Sequence, residues 1–308
     1  MFALRIDGGE DPARLSYEEA PVPKPGTGDV LVRVHAASFT PTELSWPSTW
    51  VDRQGHDRRP VIVGHEVSGT VAALGWGTTG FAVGEEVYGL TDWYRDGALG
   101  EYVAVEARNL APKPASLDHV QAAALPMPGL TAWQALFLHG RLSRGQRVLL
   151  HGAAGGVGSM AVQLARAAGA HVIATGRARA RGLVAKLGAE RFVDLDRERL
   201  ADLGEMVDVV IDLVGGDILR RSTSLIRQGG IAVSAVTAGV PEADGTRAVY
   251  FVVEPSRPQL EELARRADAG ELHPMVGAVF DLRDGRAAFT AKANGGVPGK
   301  TVIRVRVT

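Results

Sequence analysis

The rhythm of apolar and polar positions divides the chain into three stretches. Across residues 1 to about 115, apolar runs such as Val30-Leu31-Val32-Arg33-Val34 and Glu86-Val87-Tyr88-Gly89-Leu90 stand between Gly and Pro clusters, for example Pro21-Val22-Pro23-Lys24-Pro25-Gly26. Such runs predict strands in a small, irregular, mainly antiparallel barrel. From about 117 to 255, strand-like runs alternate with helical periodicity. Apolar residues at 157, 160, 161, 164, 165 and 168 share one helix face, and Gly169 is placed to cap it. His171 to Thr175 reads as a strand, and Ala180 to Leu187 as a helix stopped by Gly188. Val207 to Leu213, Ile218 to Ile226 and Ile231 to Val236 follow as strand, helix and strand. Successive βα units imply a parallel sheet covered by helices on both faces. Beyond about 256 the pattern gives one helix, Gln259 to Ala269, and an alternating strand, Thr301 to Val307, that returns to the first domain.

The most telling junction is Val148-Leu149-Leu150-His151-Gly152-Ala153-Ala154-Gly155-Gly156-Val157-Gly158, where an apolar run stops at small residues and a helical pattern follows at once. Strand, Gly-rich turn and helix in that order form the context in which a glycine motif binds a dinucleotide. Glycines allow a tight turn and close approach to a pyrophosphate, and the helix N-terminus presents free N–H groups to the anion. A turn that merely connects strand to helix is the plain alternative, and the βα units downstream argue against it.

An NAD-specific site carries an Asp or Glu about 20 residues beyond the glycines to bind the ribose hydroxyls. Here the next strand ends in Thr175-Gly176-Arg177, with Arg179 and Arg181 close behind and no acidic residue before Glu190. Guanidinium groups bind a 2′-phosphate through paired charge-assisted hydrogen bonds, whereas a carboxylate repels it. Cations at a helix start oppose the macrodipole, so a plain solvated surface is the weaker explanation. The pattern therefore points to NADP(H), with Arg177 foremost and Arg181 as a further contact.

Composition narrows the remaining chemistry. With 308 residues the chain is long enough for about two domains. Its formal net charge of −1 gives no general attraction to nucleic acid or an anionic membrane. No cysteine is present, which excludes disulfides, thiolate metal sites and a Cys nucleophile. Met1-Phe2-Ala3-Leu4-Arg5 lacks the features of a signal peptide, and no apolar run approaches a membrane span, so a cytoplasmic protein is expected.

Taken together, Gly64-His65-Glu66-Val67-Ser68-Gly69, Gly129-Leu130-Thr131-Ala132, the glycine turn, Asp208-Val209-Val210-Ile211-Asp212 and Gly299-Lys300 resemble the medium-chain dehydrogenase/reductase superfamily, in particular its zinc-free quinone oxidoreductase branch. The resemblance implies an α/β fold, a doubly wound Rossmann parallel sheet inserted into a GroES-like, mainly antiparallel β-barrel domain, with the active site in the cleft. It places GroES-like segments at 1–117 and 256–308 and the NADP-binding domain at 118–255. Ala153 replaces the first fingerprint glycine, a departure that this branch tolerates. Fold logic and resemblance together give Thr131, Ala154, Gly155, Gly156, Val157, Thr175, Gly176, Val214, Val236, Phe251 and Lys300 as cofactor contacts. Tyr250 to Val253 is alternatively an edge strand that pairs with a second subunit, and a homodimer is expected.

His65 and Glu66 occupy the place where zinc-dependent relatives keep a ligand pair. The matching cysteine positions fall at Thr40 and near Pro128, neither able to complete a zinc site, so no metal is expected. Hydride transfer to an acceptor already polarised by conjugation, a quinone or an α,β-unsaturated carbonyl, is the reaction left. Thr40 falls where family members carry a hydrogen-bonding residue near the nicotinamide, and Tyr94 or water is the candidate proton source. Trp46, Trp50 and Trp93 are candidate walls for a planar substrate, with ordinary packing as the alternative. A zinc-independent ketone or aldehyde reductase, and a weakly catalytic NADPH-binding structural or regulatory protein, remain the competing readings.

Overall fold

The computed structural model describes residues 1–239, 242, 244–295 and 298–306. The chain forms two compact units, one of Met1–Met127, Pro255–Gly270 and Pro274–Thr308, the other of Pro128–Glu254 and Glu271–His273.

The first unit opens with strands β1 (Phe2–Ile6), β2 (Ser16–Glu19), β3 (Asp29–Ser38), β4 (Val61–Ile62), β5 (Glu66–Leu74), β6 (Glu86–Leu90), β7 (Tyr102–Glu106) and β8 (Leu110–Pro112). Strands β2, β1 and β4 make a small antiparallel sheet, while β3 pairs antiparallel with both β5 and β7. Along β3, Val30, Val32 and Val34 are fully buried and Arg33 between them is exposed, the period-two pattern of a strand with one face in the core. These valines share an apolar cluster with Val67, Val71 and Leu110.

In the second unit, β9 (Arg147–His151), β10 (His171–Gly176), β11 (Arg191–Asp194), β12 (Val207–Asp212), β13 (Ile226–Ser234) and β14 (Arg247–Tyr250) form one sheet in the order β11-β10-β9-β12-β13-β14. Every pairing in it is parallel. The order reverses at β9, and open sheets of this kind bind ligands at the carboxyl ends of the strands beside such a reversal. The helix Gly156–Ala167 buries Met160, Ala161, Leu164 and Ala165, as its periodicity requires. The chain then returns to the first unit's larger sheet through β15 (Val276–Asp281) and β16 (Lys300–Arg304), β16 pairing with β3. Phe39, just past β3, stacks on Phe289 of the helix Gly285–Ala293 with ring centroids 3.7 Å apart, fixing that helix to the barrel.

The fold departs from the sequence pattern at several points. The texture changes at 117, yet the first unit continues to Met127, because Ala123 and Ala124 pack with Ala36 and Val302 in a small apolar cluster. Residues Glu271–His273 join the second unit through Gln163, whose side chain bonds both the His273 carbonyl at 3.1 Å and its N–H at 2.9 Å. Strand β13 starts at Ile226 and ends at Ser234, so Val236 lies in the following loop and not in the strand. Strand β14 covers Arg247–Tyr250, and Phe251–Val253 lie beyond it. The pattern also missed β11, β15 and the helix Gly285–Ala293, all short or weakly amphipathic. The last strand ends at Arg304; Val307 lies outside the described residues. No helix among the described residues is long and apolar enough to cross a membrane.

Candidate functional site

The dinucleotide edge is built where β9 ends. Gly152 takes φ +77°, a left-handed turn that an L side chain rarely adopts. A Cβ on Gly158 would stand 2.2 Å from the Gly152 carbonyl oxygen, so the helix can approach its own turn only with glycine there. Gly155 caps this helix with an exposed backbone, flanked by half-buried Ala154, Gly156 and Val157. Ala153 is fully buried, its side chain sharing the interior of the turn rather than the ligand face. The Gly155 N–H closes the turn on the Gly152 carbonyl at 3.0 Å, and the N–H groups of the first helical residues, Gly156 and Val157, head a helix of 12 residues, a cradle suited to a pyrophosphate.

Beneath the cradle runs a row of polar residues, of which the sequence singles out Thr175 as a cofactor contact and Asp212 as part of a motif, but not His151 or Ser234. Thr175, His151, Asp212 and Ser234 occupy one register line across β10, β9, β12 and β13 at their carboxyl ends. His151 is fully buried, with Nδ1 at 2.8 Å from the Thr175 hydroxyl and Nε2 at 2.7 Å from the Ser222 hydroxyl. Ser222 donates its own proton to the Ile218 carbonyl, so it accepts from Nε2–H and the ring takes its second hydrogen bond from Thr175. Burial, slightly offset by Asp212, pushes the imidazole down to about 4, keeping it neutral in this role. Asp212 Oδ1 accepts from the N–H groups of Val214 and Gly215 at 3.1 and 2.8 Å, while Oδ2 accepts from the Ser234 hydroxyl. Ser234 in turn accepts from the N–H groups of Val236 and Thr237. Two predicted cofactor loops are thus fastened to one buried carboxylate. Their apolar tips stay open, Val214 at 61% and Val236 at 52% exposure.

Further along this edge, β10 ends at Thr175 and Gly176, and exposed Arg177 follows. No carboxylate pairs with Arg177 or Arg179 among the described residues, whereas Arg181 meets Glu198 at 3.3 Å and lies over the Phe192 ring. Asp194 stands beside Gly176 in register but is buried, and its carboxylate accepts from the Asp196 N–H in its own loop. Thr131 is buried in the helix Pro126–Trp133, and Phe251 is buried with its ring 4.6 Å from that of His139. Tyr250 and Val252 are exposed.

The first unit holds a second polar centre. Glu66 is fully buried and accepts from the Ser38 hydroxyl at 2.5 Å, from the Met127 N–H at 3.1 Å and from the Lys300 ammonium, which also donates to the Phe39 carbonyl. Burial pushes this carboxyl upward, and the Lys300 charge and the two neutral donors oppose the push. Lys300, expected to touch the cofactor, is here the counter-ion of Glu66. Next to it, His65 directs Nδ1 to Glu43 Oε2 at 2.8 Å, and Glu43 Oε1 accepts from the Gly64 N–H at 3.0 Å. Trp46 and Trp93 meet edge-on at 5.7 Å, with ring centroids 6.2 and 5.2 Å from that of His65. Trp50 stands apart, packed on the apolar core with its indole N–H bonded to the Leu44 carbonyl. Thr40 precedes the turn Pro41–Ser45 that carries Glu43, and Tyr94 lies under the Arg53 guanidinium at 4.7 Å.

Comparison with known proteins fits this geometry. Residues 26–115 match the alcohol dehydrogenase GroES-like domain, and residues 187–303 match a family described as zinc-binding dehydrogenase. The mouse mitochondrial NAD(P)H oxidoreductase RTN4IP1 is 32% identical, over 90% of this chain and 82% of its own length. The tomato 2-methylene-furan-3-one reductase is 32% identical over 96% of this chain and 76% of its own. Among solved structures, the quinone oxidoreductase of Coxiella burnetii superposes with a TM-score of 0.92 at 31% identity, covering 99% of both chains.

The family description implies zinc, and the residues do not fit it. The chain has no thiolate, Glu43 takes His65 Nδ1, and Lys300, Ser38 and Met127 hold the Glu66 carboxylate. Among the described residues no three His, Cys, Asp or Glu side chains converge. The nicotinamide dinucleotide does fit: the turn at Gly152–Gly158 leaves backbone N–H groups open where a Cβ at Gly155 would meet only the Gly152 carbonyl, at 3.3 Å. The chain belongs to the medium-chain dehydrogenase/reductase superfamily of oxidoreductases, in its quinone oxidoreductase-like branch.

Proposed function

We propose that the protein is an NADPH-dependent reductase that works without zinc on a quinone or an α,β-unsaturated carbonyl. The observation that carries the cofactor choice is Arg177, exposed and free of any carboxylate partner among the described residues, at the end of β10 where an NAD-specific site needs an acid. When bound, NADPH supplies the hydride. The chain's own part is to hold the pyrophosphate on the N–H groups of Gly156 and Val157 and the 2′-phosphate on Arg177, with Val214 and Val236 as groove walls. Conjugated acceptors are favoured because the donor set offers no Lewis acid, and an acceptor polarised by its own conjugation needs none. The names of the tomato and Coxiella relatives agree with this acceptor class. Exposed Tyr250, the last residue of the edge strand β14, and exposed Val252 just beyond it favour a homodimer.

The test is NADPH oxidation with 1,4-benzoquinone, 2-cyclohexenone and cyclohexanone, repeated with NADH and after treatment with a metal chelator. Turnover of the quinone or enone, faster with NADPH and unchanged by the chelator, supports the reading. Dependence on zinc, preference for NADH, or preference for the saturated ketone overturns it. Saturable NADPH binding with no turnover of any acceptor favours a binding protein instead.

A further inference from the structure

Among the described residues, five buried side-chain polar atoms of the first unit have no hydrogen-bond partner, and two of them are His65 Nε2 and Thr91 Oγ1. His65 is 2% exposed and Thr91 is fully buried. They are neighbours. The antiparallel ladder of β5 and β6 pairs Glu66 with Leu90, and the Thr91 N–H extends it by donating to the His65 carbonyl at 2.8 Å. Residues directly opposite in such a ladder point to the same face, so the imidazole and the hydroxyl stand side by side. An unsatisfied buried polar group costs about 1–3 kcal/mol. Two on one face describe a place prepared for an oxygen that the chain itself does not provide.

The surroundings define that oxygen's chemistry. Glu43 fixes the imidazole by accepting from Nδ1–H, so only Nε2 remains available. Glu43 is itself held by the Gly64 N–H, and its peptide carbonyl accepts from the Thr49 hydroxyl at 2.5 Å. Carboxylate, imidazole and a free Nε2 in line form an oriented acid–base pair, in which the carboxylate sets the tautomer and stabilises the imidazolium. Trp46 and Trp93, both half-buried, set aromatic surfaces beside the imidazole ring, the setting for a flat, conjugated molecule.

We propose that His65 is the proton donor to the acceptor's carbonyl oxygen, with Glu43 as its positioning residue and the Thr91 hydroxyl as a second hydrogen-bond donor to the same oxygen. The inference rests on the reductase reading above. As hydride reaches the conjugated acceptor, an electron pair moves onto the carbonyl oxygen. The Nε2–H bond of the imidazolium breaks and an O–H bond forms, giving the neutral enol or the neutral hydroquinone. Neutral His65 keeps Nδ1–H on the Glu43 carboxylate and regains its proton from water. This assigns the proton to His65 rather than to Tyr94, whose ring is engaged by Arg53.

The experiment has a kinetic and a spectroscopic arm. His65→Gln is expected to lower kcat for 2-cyclohexenone by about 10²–10⁴-fold, with NADPH affinity within twofold of wild type. Thr91→Val is expected to lower it more than Thr91→Ser, and Glu43→Asp to recover part of what Glu43→Gln loses. In wild-type protein labelled with ¹⁵N-histidine and loaded with NADP⁺, adding 2-cyclohexenone is expected to shift the His65 Nε2 resonance. Retention of kcat within threefold in His65→Gln overturns the proposal, as does an unmoved Nε2 resonance at saturating enone. If wild-type protein binds NADPH but turns over no acceptor, the reductase reading fails, and the ¹⁵N shift alone then decides whether this oxygen site exists.

Discussion

Ser234 donates its hydroxyl proton to Asp212 at 2.7 Å, and through that bond the loops after β12 and β13 share one buried anchor. The carboxylate also holds the Val214 and Gly215 N–H groups, and the Ser234 oxygen holds those of Val236 and Thr237. Asp212→Ala leaves these donors unsatisfied in a fully buried position, which costs about 1–3 kcal/mol for each group that finds no water. The expected outcome is a thermal midpoint lowered by several degrees and NADPH binding weakened at least tenfold. Ser234→Ala should produce a smaller drop in both. Differential scanning calorimetry and a fluorescence titration check this, and unchanged NADPH affinity in Asp212→Ala refutes the anchor's role.

Arg177 separates the two nicotinamide cofactors. A hydrogen bond to a charged group contributes about 1.5–3 kcal/mol, so Arg177→Ala should weaken NADPH about 10–100-fold while leaving NADH within twofold. The NADPH preference of wild-type protein should also shrink as salt is raised, since Arg177 is exposed and its attraction to phosphate is screened. Arg181→Ala should matter less, because that guanidinium is shared with Glu198 and Phe192. Dissociation constants for both cofactors in the three proteins provide the check. Equal losses for NADPH and NADH in Arg177→Ala contradict a 2′-phosphate contact.

Legibility in the sequence followed the range of the interaction. The glycine turn, the helix Gly156–Ala167 and β6 were readable because spacing within a dozen residues determines them. The parallel sheet was readable from alternation, but β11 was not: Arg191–Asp194 is too short to show a period. Site residues divided in the same way. Arg177 announces itself by charge at a fixed distance from the glycines. Glu43 gives no signal, since it meets His65 only after the turn Pro41–Ser45 folds back onto the start of β5. Asp212 was visible as part of a motif, yet its partner Ser234 lies 22 residues away and is defined only by sheet register.

Acid should loosen the second unit through His151. Its imidazole titrates at about 4 in the fold against 6.5 in an unfolded chain, because burial penalises the charged ring. Between those values the unfolded state binds more protons than the folded one, so stability rises with pH and is complete above 6.5. The full contribution is about 3 kcal/mol at most, lost as pH falls from 6.5 toward 4. His151→Gln removes the titration, so its unfolding free energy should fall less steeply over that range than the wild type's. Urea denaturation at pH 4.5, 5.5, 6.5 and 7.5 measures both slopes; parallel slopes contradict the assignment.

Lys300 and Glu66 make the converse case, a buried ion pair whose removal depends on which partner goes. Lys300→Met leaves a fully buried carboxylate with only the Ser38 and Met127 donors, and breaking a pair this way costs about 3–5 kcal/mol. Without the ammonium nothing cationic opposes the upward push of burial, so Glu66 should protonate in the folded variant at a pH where the unfolded chain is still ionised. The folded state then binds the extra proton, so the variant's deficit should grow as pH rises and shrink as pH falls. Adding Glu66→Gln removes the charge that Lys300→Met strands while keeping an amide oxygen to accept from the Met127 N–H and an NH2 that can donate to the Ser38 hydroxyl oxygen. The double variant should therefore be more stable than Lys300→Met alone at pH 8, with the pH dependence gone. Thermal midpoints of the wild type, both single variants and the double variant at pH 5 and 8 measure this coupling. Additive losses at pH 8 would mean that Lys300 contributes packing and its bond to Phe39 rather than charge.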